Sequence, residues 1–103
     1  MTLSPLERDV QRQVVDVLKA LGATVYATSQ YRASRITPGI PDLYALHPKL
    51  GGVWVEVKSA TGKQSPEQEE FQADCERSCV EYWIIRSTDE LRERLTDAGV
   101  LRE

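Results

Sequence analysis

The chain has 103 residues, 41% of them hydrophobic and 28% charged, with a formal net charge of −3. That length supports one domain with a modest core and excludes two, so residues 1–103 are read as a single domain. No apolar run approaches the ~20 residues of a membrane helix, and Met1 to Asp9 lacks the basic-then-hydrophobic order of a secretion signal; an intracellular, cytoplasmic protein is expected.

The first helix is expected from about Pro5 to Leu21. Ser4 stands at its cap with Glu7 three residues on, Pro5 lies in the first turn and Gly22 stops it. Leu6, Val10, Val14, Val17, Leu18 and Leu21 form an apolar stripe, while Arg8, Arg12 and Lys19 occupy the opposite arc. Glu7 falls inside the stripe, within about 60° of Val10, Val14, Leu18 and Leu21 at 100° per residue. Either it is a partly exposed first-turn carboxylate that serves the cap and the helix dipole, or it reaches into a site as an extra acidic group.

Val25 to Thr28 reads as a first strand, followed over residues 29–41 by a loop rich in Ser, Arg, Pro and Gly. Asp42 to Leu46 makes a second strand, His47 to Gly52 turns the chain back, and Val53 to Lys58 is the third strand. After a loop from Ser59 to Lys63, Ser65, Pro66 and Gln68 open a helix as cap, first residue and capping-box partner. Phe71, Cys75 and Cys79 are expected on its buried face. Tyr82 to Arg86 is a fourth strand with the continuous apolar middle of a strand covered on both faces. Ser87 and Glu90 form a second capping box and open a last helix to about Ala98, with Leu91 and Leu95 inward. The order α-β-β-β-α-β-α implies an α/β fold, a mixed sheet with helices on its faces.

Cys75 and Cys79 lie four apart, one face of a helix. A structural zinc site would need four Cys or His ligands, and only His47 could join them, so a buried, reduced pair is expected.

The chemistry concentrates in two places. In the third strand Val53, Val55 and Val57 point one way, and Trp54, Glu56 and Lys58 the other. Glu56 and Lys58 thus stand about 6.6 Å apart on one face. Burying a carboxylate and an ammonium in a core strand is costly unless they are paired or bind something. Gly39-Ile40-Pro41-Asp42 supplies a second carboxylate at the start of a neighbouring strand. Two carboxylates and an amine so placed suit a divalent-metal site for cutting a phosphodiester. Lys58 as a simple strand-end partner of Glu56, and Asp42 as a plain turn residue, are the structural alternatives.

Gly39-Ile40-Pro41-Asp42 followed by Glu56-Val57-Lys58 resembles the PD-(D/E)xK nuclease superfamily. With Glu7 on the leading helix and Gln68 on the helix after the lysine strand, the chain is similar to its VRR-NUC group (virus-type replication-repair nucleases), in particular the small stand-alone members of phages and bacteria. The resemblance runs from Glu7 to about Arg86 and implies a restriction-endonuclease-like core. It implies a hydrolase holding Mg²⁺ or Mn²⁺ on Asp42, Glu56 and the Val57 carbonyl, with Glu7 as a further acid and Lys58 steering the attacking water. Gln68 would hold Lys58 or a water, or serve only as a capping residue. A preference for branched DNA such as four-way (Holliday) junctions, a role in DNA repair and a homodimer follow from the same resemblance. A non-catalytic DNA-binding or adaptor module on the same fold, and a sequence-specific restriction-type endonuclease, are the alternatives.

Charge distribution is compatible with a DNA partner. Residues 24–64 carry five basic and two acidic residues, +3, whereas residues 65–103 carry five basic and eleven acidic, −6. Arg32, Ser34 and Arg35 in the loop before Asp42, with Lys63 beyond Lys58, are candidates for phosphate contacts that position a duplex without reading bases. An ordinary solvated loop accounts for them equally well.

Overall fold

The structure, a computed structural model, describes residues 5–28 and 38–102. The elements follow the expected order: α1 (Pro5–Ala20), β1 (Thr24–Ala27), β2 (Leu43–His47), β3 (Gly51–Val57), α2 (Pro66–Arg77), β4 (Glu81–Ile85) and α3 (Thr88–Asp97). Each strand shifts by one or two residues from its expected bounds, which leaves Asp42 just before β2 and Lys58 just after β3. Ser4, the expected cap of α1, lies outside the described residues. Among the described residues no helix is long and apolar enough to cross a membrane.

The strands form one sheet in the order β1-β2-β3-β4. The first three make an antiparallel meander, and β4 lies parallel to β3. A parallel neighbour needs a crossover, and α2 supplies it. The pleat divides the sheet into two faces. On one, Leu43, Ala45, Val53, Val55, Val57, Trp83 and Ile85 pack against Val14 and Leu18 of α1 and Leu91 and Leu95 of α3 as the core. On the other, aromatic rings run across β2, β3, α2 and β4: Tyr44 to Trp54 at 4.5 Å, Trp54 to Phe71 at 5.3 Å, Phe71 to Tyr82 at 6.3 Å. These offset and edge-on contacts hold α2 on the face opposite α1 and α3.

His47 uses both ring nitrogens. Nδ1 is 3.0 Å from the Lys49 N–H, which can only donate, so Nε2 carries the proton and donates to the Leu21 carbonyl at 2.9 Å. The side chain thereby ties the end of α1 to the β2–β3 turn.

All three helices end with the N–H of a residue bonded to the carbonyl five positions earlier: Ala23 to Leu18, Val80 to Cys75, Val100 to Leu95. The residue before each closing N–H takes a positive φ: Gly22, Gly99 and, after α2, Cys79 at 56°. Cys79 therefore corrects the expectation of a buried pair. The helix stops at Arg77 and Cys79 is exposed beyond it, so that only Cys75 is buried. The left-handed turn that glycine usually signals is made here by a cysteine, at a cost of roughly 1 kcal/mol. The second capping box also differs. The Ser87 side chain accepts from the Glu90 N–H, but the Glu90 carboxylate accepts from the Arg86 N–H instead of the cap residue's own.

Gly39 is the one position in the Gly-Ile-Pro-Asp segment where only glycine fits. Its φ is +85°, and a Cβ there would stand 2.3 Å from the Glu67 carbonyl oxygen in the first turn of α2. Both the left-handed backbone and the backbone clash oppose a side chain. Gly39→Ala is expected to lower stability by about 2–3 kcal/mol, read as a shifted urea midpoint; an unchanged midpoint would show that the loop relaxes freely away from α2.

Candidate active site

The β2–β3 register sets Leu43 opposite Val55, so Asp42, one residue earlier, faces Glu56 across the strand pair. Two interactions fix this end of β2. The Asp42 Oδ2 accepts the Val57 N–H at 2.8 Å. The Asp42 carbonyl accepts the Thr28 N–H at 2.9 Å and also the Thr28 hydroxyl at 3.0 Å. The carboxylate is therefore held from the β1 side through the backbone and from the β3 side through its own oxygen.

Glu56 is 2% exposed and Lys58 8%. The Lys58 Nζ stands 3.3 Å from the Glu56 Oε2, and the Gln68 Nε2 donates to the same oxygen at 2.7 Å. Glu56 Oε1, in contrast, is buried and has no hydrogen-bond partner among the described residues. A carboxylate doubly held on one oxygen and unsatisfied on the other is expensive to keep charged away from water. Its acidity reflects that: burial first, then repulsion from Asp42, push Glu56 up to about 7, against the attraction of Lys58. Asp42 is also raised, by burial, while the Val57 N–H and Lys58 act in the opposite direction.

Gln68 serves as the capping residue and also reaches the site, where its partner is Glu56 and not the expected Lys58. Its Oε1 accepts the Ser65 N–H at 2.8 Å as the capping-box partner. Its other end donates to Glu56, not to Lys58. Gln68→Met keeps the length of the side chain and loses both bonds. It is expected to cost about 1–3 kcal/mol, measured by urea denaturation; a variant as stable as the parent would mean that Ser65 alone holds the helix start.

Glu7 is partly exposed in the first turn of α1. Its negative charge helps raise both Asp42 and Glu56, and a Cβ added at Gly62 would lie 3.6 Å from its Oε1. Glu7 thus borders the site beside the β3–α2 loop. Among the described residues no three His, Cys, Asp or Glu side chains close into a metal-binding cluster. Asp42, Glu56, Lys58 and Gln68 are brought together, with the Val57 backbone between them. Lys63 is exposed on the neighbouring loop. Arg32, Ser34 and Arg35, with Tyr31 and Thr37, lie outside the described residues.

Sequence reasoning missed Arg86. Its Nη1 donates to the Ser59 carbonyl at 2.6 Å and the Gly62 carbonyl at 2.7 Å, pinning the loop that follows Lys58. An arginine at a strand end carries no local signal for a loop more than twenty residues earlier; only the parallel pairing of β3 and β4 brings the two together.

A solved structure described as a VRR_NUC domain superposes on this architecture with a TM-score of 0.74. It covers 91% of this chain and 97% of that one, at 22% sequence identity. The chain has the VRR_NUC fold. No protein-family model matches it, and no curated protein does. The VRR_NUC likeness accounts for the mixed sheet and its flanking helices. What the carboxylates, amine and amide do within it is a question of their own chemistry.

Proposed function

We propose that the protein is a metal-dependent DNA endonuclease that hydrolyses phosphodiester bonds. The observation that carries this reading is the buried Oε1 of Glu56 beside Asp42, which has no partner among the described residues. Two carboxylates that repel each other at close range, one with an unsatisfied oxygen, fit a hard divalent cation such as Mg²⁺ or Mn²⁺, which prefers oxygen ligands. Asp42, Glu56 and the Val57 carbonyl would hold it, with Glu7 as a further acid at the edge of the site and water and substrate oxygens completing the shell. When bound, the cation supplies a water of lowered pKa and neutralises charge at phosphorus.

The chain's own groups then have distinct tasks. Lys58 orients the attacking water and stabilises the negative charge that builds on the phosphate oxygens. Water adds its oxygen to phosphorus, the bond to the leaving sugar oxygen breaks, and a proton ends on that oxygen. Gln68 is a positioning residue that holds the Glu56 Oε2 and leaves Oε1 for the cation. Lys63 and the segment bearing Arg32, Ser34 and Arg35 contact the phosphate backbone around the cut.

The VRR_NUC fold supports DNA as the substrate. A preference for branched DNA such as four-way junctions, and action as a homodimer, belong to the same proposal. One chain carries one site, and resolving a junction takes two coordinated cuts. The test is a cleavage panel of single-stranded, duplex, flap and four-way-junction DNA with Mg²⁺ or Mn²⁺. Asp42→Ala protein and a chelated control run beside the parent. Metal-dependent cutting by the parent alone is expected. Cutting that survives chelation or the Asp42 substitution, or DNA binding without cutting by the parent under any condition, overturns the reading.

A further inference from the structure

A basic groove leads away from the site along the outside of α1. It has a volume of about 360 Å³ and lies between α1, at Arg8, Arg12, Val15 and Lys19, and the sheet edge at Val25 and Ala27 of β1. Gln11, Asp16 and Tyr26 also line it. The lining carries three cations and the carboxylate of Asp16, and Asp9 beside it pairs with Arg12, which leaves the groove with a small positive excess on a chain whose net charge is −3.

The placement of the groove follows from helix geometry. Arg8, Arg12 and Lys19 fall within about 40° of one another around α1, on the arc opposite the apolar stripe. From Arg8 to Lys19 the row extends about 16 Å at 1.5 Å per residue. The end at Arg8 and Ala27 is the one that neighbours the candidate site along the chain: Arg8 follows Glu7, and Ala27 precedes Thr28, whose N–H holds the Asp42 carbonyl. The other end runs out beside Val25.

The cations are free to exchange partners. Arg8 and Lys19 are exposed. Among the described residues Arg12 pairs with Asp9, at 3.1 Å and with both side chains more than half exposed, a contact worth at most about 1 kcal/mol. A phosphate can replace it at little cost.

We infer that this α1–β1 groove binds the phosphate backbone of DNA and carries the strand away from the cut site. About 16 Å accommodates several phosphates of one strand at about 3.4 Å of duplex axis each. The contacts are charge-based, so the groove positions the strand and reads no bases. Asp16 sets a limit on the attraction. The inference rests on DNA being the substrate, but it concerns binding and not chemistry.

The test measures binding of labelled single-stranded and duplex DNA by fluorescence anisotropy across salt concentrations. The full chain carries Asp42→Ala so that nothing is cut. Adding Arg8→Gln with Lys19→Gln is expected to weaken binding roughly fivefold for each cation removed. The slope of log affinity against log salt should fall by about 0.7–0.9 per cation. Arg92→Gln, which removes an exposed charge on α3 outside the groove, should leave both unchanged. Asp16→Asn should tighten binding, a gain that a misfolded variant cannot mimic. A parent-like slope in the double variant, equal losses in Arg92→Gln, weaker binding by Asp16→Asn, or no DNA binding at all would overturn the assignment. Failure of the parent to cut DNA while the slope still falls would leave the groove standing and remove only the nuclease reading.

Discussion

Lys58→Met is expected to slow single-turnover DNA cleavage by about 10²–10⁴-fold at saturating Mg²⁺, with DNA affinity kept within about threefold. Methionine fills a similar volume, so the fold should survive, and a lysine whose side chain is 11% exposed contributes little to the field felt by DNA at the surface. Its loss acts at short range. The Glu56 Oε2 keeps only the Gln68 amide, and the attraction that favours ionised Glu56 disappears. More Mg²⁺ should therefore be needed for half-maximal rate. Asp42→Asn makes the complementary case. It removes the repulsion that raises Glu56 and should make Glu56 a stronger acid, yet it should still abolish cutting because a ligand is lost. A Lys58→Met enzyme that cuts within tenfold of the parent would show that the amine is only a structural partner of Glu56.

The second large effect is on stability without metal. Glu56 lies near 4.5 in an unfolded chain and at about 7 in the fold, so the folded state favours the protonated acid. The sign follows directly: this contribution is fully present below pH 4.5, shrinks as pH rises and is gone above about 7. Its size is about 3 kcal/mol at 1.36 kcal/mol per unit. Subtracting the urea stability of Glu56→Gln protein from that of the parent, in chelator, isolates it from the other carboxylates. The difference should fall by that amount between pH 4.5 and 7. Mg²⁺ favours the ionised form, so its protection of the parent should be much larger at pH 8 than at pH 5.5. A difference that is flat across this interval would mean that Glu56 is ionised throughout, its charge met by Lys58 and Gln68 alone.

Much of this was legible in the chain because the signals are local. The alternation Val53-Trp54-Val55-Glu56-Val57-Lys58 assigns the two charged side chains to one face, and the structure places them there. Ser65, Pro66 and Gln68 announce the start of α2. What was not legible depends on long-range pairing or on a turn without its usual residue. The Tyr44–Trp54–Phe71–Tyr82 row exists only once β2, β3, α2 and β4 are in register. The reach of Arg86 to the Ser59 and Gly62 carbonyls needs the same pairing. Nothing in Arg77-Ser78-Cys79-Val80 resembles a glycine stop, so the local pattern carries Cys79 on as part of the helix. The position of Gln68 suits both a cap and a site role, and spacing alone cannot show that the two ends of one amide serve Ser65 and Glu56 together.

That shared amide makes the rotation of α2 and the aim of Glu56 a single mechanical variable. One end of Gln68 grips the backbone at Ser65 and the other the carboxylate, while the Glu67 carbonyl packs against Gly39 next door. Turning the helix by one residue, about 100°, would swing the amide away from the strand altogether. Sequence drift along the outer side of α2 leaves this linkage untouched, whereas a residue more or fewer at Ala60 and Thr61 would break the turn that Gly62 closes on Ser59 and that Arg86 holds. A single deletion between Ser65 and Gln68 would bring Glu69 to the third position after the cap and leave a folded helix pointing a carboxylate where the amide belongs.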